Sequence, residues 1–156
     1  VKLLGVDLKS RWYVTVLTLF YISLVLFVSF VGVGLFFPDR LDGRYTGASH
    51  NFVPLSTIGT YLINIQNYNF DTWFYNTFGT VLLFVPIGIL ILLLFSKLKA
   101  GIALVVILIF SLFIETVQYI TKLGVFDVDD IILNTSGVLL GILICSFLKK
   151  RKKLLN

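Results

Sequence analysis

Cysteine and histidine are nearly absent: the chain has one of each, Cys145 and His50. A single cysteine excludes an intramolecular disulfide and any cysteine-based metal cluster. A single histidine without ligand spacing around it makes no metal motif, so neither metal nor cofactor is expected. There is no G-x-S-x-G elbow and no histidine cluster, so no nucleophile motif for an enzyme is written here. Charge is scarce as well. Only 13% of residues are charged, against 58% hydrophobic, with fifteen Phe and seven Tyr. A soluble domain of 156 residues could not cover that much apolar area. The composition therefore predicts an integral membrane protein, one domain long. Cys145 lies in an apolar run, where cysteine behaves as a small hydrophobe.

The net charge of +5 would suit nucleic acid, but its distribution argues otherwise. The basic residues flank apolar runs, as the insertion rule and anionic lipid require, so no nucleic-acid partner is expected. Trp12 to Phe37 is an apolar run of 26 residues, roughly 39 Å of helix at ~1.5 Å per residue. That is too long for a signal-peptide core of ~7–15 residues, and no A-x-A-like site ends it. It reads as a retained first span. Further apolar runs predict spans at about 71–95, 101–122 and 128–148. Pro86 and Gly88 fall in the middle of the second span and predict a kink there. The expected fold is thus all-α, with four transmembrane helices in a single domain over 1–156.

Residues 38–70 form the first loop, with Arg40, Asp42, Arg44 and His50, punctuated by Gly43, Gly47 and Pro54. Within it Ile58, Leu62 and Ile65 follow i, i+4, i+7 spacing, with Ser56 and Thr57 as candidate caps. A short re-entrant or interfacial helix fits this pattern, as does a loop packed on the bundle end. Lysine and arginine counts set the orientation. With four spans, Lys2, Lys9, Arg11, Lys97, Lys99 and the five in the tail 149–156 share one side, ten of the thirteen. Arg40, Arg44 and Lys122 make up the other three. The split puts both termini in the cytoplasm and the first loop outside.

Polar side chains recur in the outer third of every span: Ser29, Asn76, Glu115 and Asn134. Lipid offers them no partners, so they are expected to face one another or water. A carboxylate inside a membrane-length apolar run is a functional-site hypothesis by default. Glu115 and Gln118 are i, i+3 and share a face. Asp130, Asn134, Gly137 and Gly141 make one stripe, and the Gly137-x-x-x-Gly141 pair admits a close neighbour along it. Asp127 and Asp129 read either as a solvated turn or helix cap, or as part of the site. Asn134-Thr135-Ser136 matches a glycosylation sequon, but inside a span the match is chance. The candidate ligand-binding set is therefore Asn76, Glu115, Gln118, Asp127, Asp130 and Asn134.

In order along the chain, Asn76-Thr-Phe-Gly79, Phe84-Val-Pro86-Ile-Gly88, Ser111-x-x-x-Glu115-x-x-Gln118 and Phe126-Asp127-x-Asp129-Asp130-x-x-x-Asn134-Thr-x-Gly137-x-x-x-Gly141 resemble the VanZ-like membrane protein family. Asn51-Phe-Val-Pro54-Leu-Ser-Thr57-Ile58 fits the same pattern, so the resemblance covers most of the chain from about Asn51. Thr80 stands where that pattern often has Asn, and Val125 where it commonly has Arg. Lys122, Arg40 or Arg44 would then have to serve an acidic cleft.

The resemblance implies a bacterial plasma-membrane protein associated with resistance to glycopeptide antibiotics such as teicoplanin. Two functions compete on this basis. One is a binding protein whose outward polar pocket engages an envelope lipid, a lipid-linked cell-wall precursor or a glycopeptide antibiotic. The other is an intramembrane enzyme modifying a lipid-linked envelope substrate, with Glu115 and Asp130 as its acid/base pair. A small transporter is a third reading, and four spans could build one only as an oligomer.

Overall fold

Four helices in the computed structural model are long and apolar enough to cross a membrane: Arg11–Val31, Tyr75–Leu94, Ala100–Thr121 and Val128–Arg151. The structure describes residues 8–32, 50–68, 70–95 and 98–154. Helix α1 covers Leu8–Phe27 and is continued by a π-helical turn, Val28–Gly32. The expected remainder of that span, together with Arg40, Asp42, Gly43, Arg44 and Gly47, lies outside the described residues. Short helices α2 (Ser56–Ile63) and α3 (Phe70–Phe74) follow. A second π-helical turn, Tyr75–Gly79, joins α3 to α4 (Thr80–Leu94). Helices α5 (Ala100–Thr121) and α6 (Val128–Leu154) complete the chain. Among the described residues there is no β-strand, only an isolated parallel bridge between Asn51 and Asp127.

Lipid tails are as apolar as leucine, so burying leucine between helices drives little by itself. Close contact has to come from shape, and glycine supplies it between α4 and α6. A Cβ on Gly137 would run into the Val81 carbonyl, and one on Gly141 into the Val85 carbonyl. From the other side, a Cβ on Gly88 would strike the Val138 carbonyl and lie 3.0 Å from the Ile142 nitrogen. The two backbones therefore touch along about one and a half turns, and only glycine fits. Around this seam Phe84, Ile87, Val138, Ile142 and Cys145 are buried with Val25 of α1 and Ala103, Ile107 and Ile114 of α5.

Helix α4 runs through Pro86 without a break. An irregular turn lies upstream, at Tyr75–Gly79, where the Thr77 hydroxyl donates to the Trp73 carbonyl. Near Pro86 the Tyr21 hydroxyl donates to the Leu83 carbonyl at 2.9 Å and ties α1 to α4. Helix α6 continues past its expected end at Leu148, and Lys149 Nζ donates to the Leu92 carbonyl at 3.1 Å. That bond serves one of the carbonyls that the end of α4 leaves without a helical partner.

Many hydroxyls within the spans need no neighbour. Thr18 donates to the Val14 carbonyl at 2.7 Å, Thr116 to Leu112 at 2.7 Å and Thr135 to Ile131 at 2.8 Å. A hydroxyl that bonds back one turn is satisfied within its own helix and can face lipid. Polar groups in these spans are thus of two kinds: hydroxyls bonded one turn back, and groups that find partners on another helix, such as the Tyr21 phenol, the amides and the carboxyls.

Candidate functional site

Several carboxyls and the Asn51 amide are bonded together at the α2 end of the bundle. The segment 50–58 is fastened there to the start of α6. In the bridge the Asn51 N–H donates to the Phe126 carbonyl at 2.9 Å, and the Val128 N–H returns to the Asn51 carbonyl at 3.0 Å. Side chains extend the connection. Asn51 Nδ2 donates to Asp127 Oδ1 at 2.8 Å and to Thr57 Oγ1 at 3.0 Å, while the Thr57 hydroxyl donates to Asp127 Oδ2 at 2.6 Å.

Asp129 then closes the N-terminus of α2. Its Oδ1 accepts from the Leu55 N–H, and its Oδ2 accepts from the N–H groups of Thr57 at 2.7 Å and Ile58 at 3.0 Å. The first backbone N–H groups of a helix have no partner within it, and a carboxylate also suits the positive end of the helix dipole. Ser56 and Thr57, the caps expected from sequence, do not cap; no side chain of the residue before the helix does. That residue, Leu55, adopts φ 67°, a left-handed conformation costly for a branched side chain. Three bonds to a buried carboxylate hold it there. Asp129 is 0% exposed, so the solvated-turn alternative is ruled out for it and the cap is real.

The candidate residues are distributed among separate bonds. Glu115, 2% exposed, accepts the Asp127 N–H on Oε2 at 2.9 Å. Gln118 does not pair with Glu115; its Nε2 donates to the Ser29 carbonyl at 2.9 Å and joins α5 to the π turn after α1. Asn134, 4% exposed, donates from Nδ2 to Ser111 Oγ at 2.6 Å. Its Oδ1 is buried without a partner. The expected stripe on α6 therefore divides between neighbours: Asn134 faces α5, while Gly137 and Gly141 face α4. Asp130 is half-buried and interacts electrostatically with Glu115. Asn76 is half-buried in the second π turn. Of the cations considered for this end, Lys122 is exposed and terminates α5 in a left-handed conformation, φ 57°. Arg40 and Arg44 lie outside the described residues.

A cleft among the described residues adjoins this network. It measures about 370 Å³ and is lined by His50, Asn51, Ser56, Thr57, Thr60, Tyr61 and Tyr68. The Tyr61 and Tyr68 rings are 4.8 Å apart between centroids and tilted by 54°. His50 sits edge-on to Tyr119 at 4.7 Å, and its Nδ1 accepts the Phe126 N–H at 3.2 Å. Trp73 Nε1 donates to the Tyr61 carbonyl at 3.2 Å and ties α3 to α2. Beside these polar groups in sequence, Phe52, Val53, Leu62 and Ile63 are exposed by 58–79%. Sequence reasoning noted Asn51, Thr57 and His50 without placing them together, and it missed Tyr61 and Tyr68. The one available signal was aromatic and hydroxyl residues crowded around a short helical pattern.

Helical spans joined by a polar fastening at one end define a multi-pass α-helical membrane protein. A family model described as VanZ/LLP1 matches residues 13–149, and the chain belongs to that family. Membership supports a VanZ-like protein linked to antibiotic resistance. No curated protein and no solved structure matches the chain.

Proposed function

We propose that this VanZ-like protein lies in the bacterial plasma membrane with both termini in the cytoplasm. Its α2 end then faces outward and engages an envelope lipid, a lipid-linked cell-wall precursor or a glycopeptide drug of the teicoplanin type. The observation that carries this is the pairing of surfaces on one anchored loop. A cleft of hydrogen-bonding side chains adjoins, along the chain, the exposed Phe52, Val53, Leu62 and Ile63. An amphiphile has the same division, a polar head and an apolar body. Helix α2 would lie in the membrane interface with those apolar side chains in the acyl region. The ten-to-three split of basic residues supports the orientation. A second reading keeps Glu115, buried and bonded to the Asp127 N–H, and Asp130 as an acid/base pair of an enzyme acting on a lipid-linked envelope substrate.

Full-length protein in lipid nanodiscs, titrated with a lipid-linked cell-wall precursor and with teicoplanin, tests the reading. Saturable binding of either, weakened at least fivefold by Thr60→Val or Tyr68→Ala, is the expected result. Binding that is absent, or indifferent to both substitutions, rejects the cleft as the site.

A further inference from the structure

We infer that the group held in the cleft is a neutral sugar ring. This rests on the reading that the α2 end engages an amphiphile, and it names the part that is gripped. Among the described residues lining the cleft none carries a formal charge: they offer aliphatic hydroxyls, two phenols, an amide and an imidazole. The imidazole is an acceptor at Nδ1, where it takes the Phe126 N–H.

An anionic headgroup is poorly served by such walls. Phosphate and carboxylate are held by Arg, Lys or free N–H groups at a helix start. Here the first N–H groups of α2 are already taken by Asp129. A second carboxylate, Asp127, lies directly behind Thr57 and Asn51 in the cleft wall. An ionised carboxylate only accepts hydrogen bonds, so neither acid has a donor to offer an anion.

A cationic headgroup fares little better. Aromatic cages hold ammonium groups with several ring faces, and only one tilted ring pair stands here. Both nearby carboxylates are already taken up, Asp129 by three backbone N–H groups and Asp127 by Asn51 Nδ2, the Thr57 hydroxyl and the Asp129 N–H.

A sugar fits both halves of the lining. Its hydroxyls donate and accept, as the Ser, Thr and Tyr hydroxyls do. Its C–H faces are apolar and suit aromatic rings, of which Tyr61 and Tyr68 stand in the lining. The volume of about 370 Å³ lies at the small end of ligand pockets, roughly 300–1,000 Å³. It admits a headgroup and leaves acyl chains outside, against the exposed Leu62 and Ile63. Asn51 and Thr57 are fixed by the Asp127 bonds, so the wall is formed before any ligand arrives.

The test uses full-length protein in nanodiscs of neutral lipid and measures affinity for paired probes. The first pair is a polyprenyl diphosphate bearing a disaccharide and the same diphosphate without sugar. The second is a glycopeptide antibiotic and its aglycone. A phosphatidylethanolamine with short acyl chains is the fifth probe. Within at least one pair the sugar-bearing member should bind at least tenfold more tightly. Which pair shows it tells whether the ring comes from precursor or drug. Tyr68→Ala should erase the preference and Tyr68→Phe should keep most of it, with thermal unfolding confirming that both variants fold. Equal affinity within both pairs overturns the sugar assignment and leaves the amphiphile reading standing, as does a preference for the ethanolamine lipid. Failure of every probe to bind overturns both.

Discussion

Asp129 on α6 and Thr57 on α2 are 72 residues apart in sequence and 2.7 Å apart in space. Through that contact and its neighbours, the first loop of the protein is held by the last helix. Asp129→Ala should remove three charge-assisted bonds and leave the Leu55, Thr57 and Ile58 N–H groups unserved. A loss of about 2–4 kcal/mol is expected, confined at first to the loop. Hydrogen exchange should rise over 50–60 while α4 and the core of α6 stay protected. Equal deprotection throughout would show that the fastening is not local.

The glycines provide a matched comparison. Gly141→Ala puts a Cβ into the Val85 carbonyl, which cannot move without its helix. Separating α4 from α6 should cost at least ~2 kcal/mol. Gly101→Ala meets nothing within 4 Å and should be neutral or stabilising by up to ~1 kcal/mol, since alanine is the better helix former. Thermal unfolding of both variants in one detergent checks the contrast.

Glu115 holds the turn before α6 by accepting the Asp127 N–H. Glu115→Gln keeps an acceptor oxygen and should cost at most ~1 kcal/mol. Glu115→Leu strands that buried N–H, at a cost of about 1–3 kcal/mol. The difference should appear both in unfolding midpoint and in exchange at Asp127.

Asn134 and Ser111 make a bond that leaves Asn134 Oδ1 buried without a partner. Removing both polar groups together, Ser111→Ala with Asn134→Leu, should change stability by less than ~1 kcal/mol, because an unserved oxygen goes with the lost bond. Each single substitution should cost more than the pair. A double-mutant cycle measures this directly.

The proposed orientation can be read with thiol chemistry, since Cys145, the only cysteine, is buried. In intact cells a membrane-impermeant maleimide should label Ser56→Cys, exposed on the polar cleft, and spare Arg151→Cys until the membrane is opened. The reverse pattern would invert the protein in the membrane.

How far the sequence could be read follows from the range of each interaction. The four spans were legible because hydrophobicity is a local property, and the Gly137–Gly141 spacing because helical period is local too. The partners of those glycines, Val81 and Val85, were not: a small residue announces that something approaches, never what. The polar residues were expected to face one another or water, and the particular partners were not legible. Gln118 shares a helix face with Glu115, yet it reaches the Ser29 carbonyl. A backbone carbonyl as a partner leaves no mark in sequence. Asp129 read as a solvated turn, a helix cap or a site residue, and sequence could not choose because its three partners are backbone groups of a distant loop. Threonine hydroxyls that bond one turn back mimic site residues in a sequence read only for polarity.

The bridge between Asn51 and Asp127 also orders events during synthesis. The acids that secure segment 50–58 emerge only after α5 has been made. Until then Leu55 has nothing to hold its left-handed turn and α2 has no carboxylate at its start. The cleft is thus a late product of insertion, assembled when the fourth helix arrives and absent from any shorter intermediate.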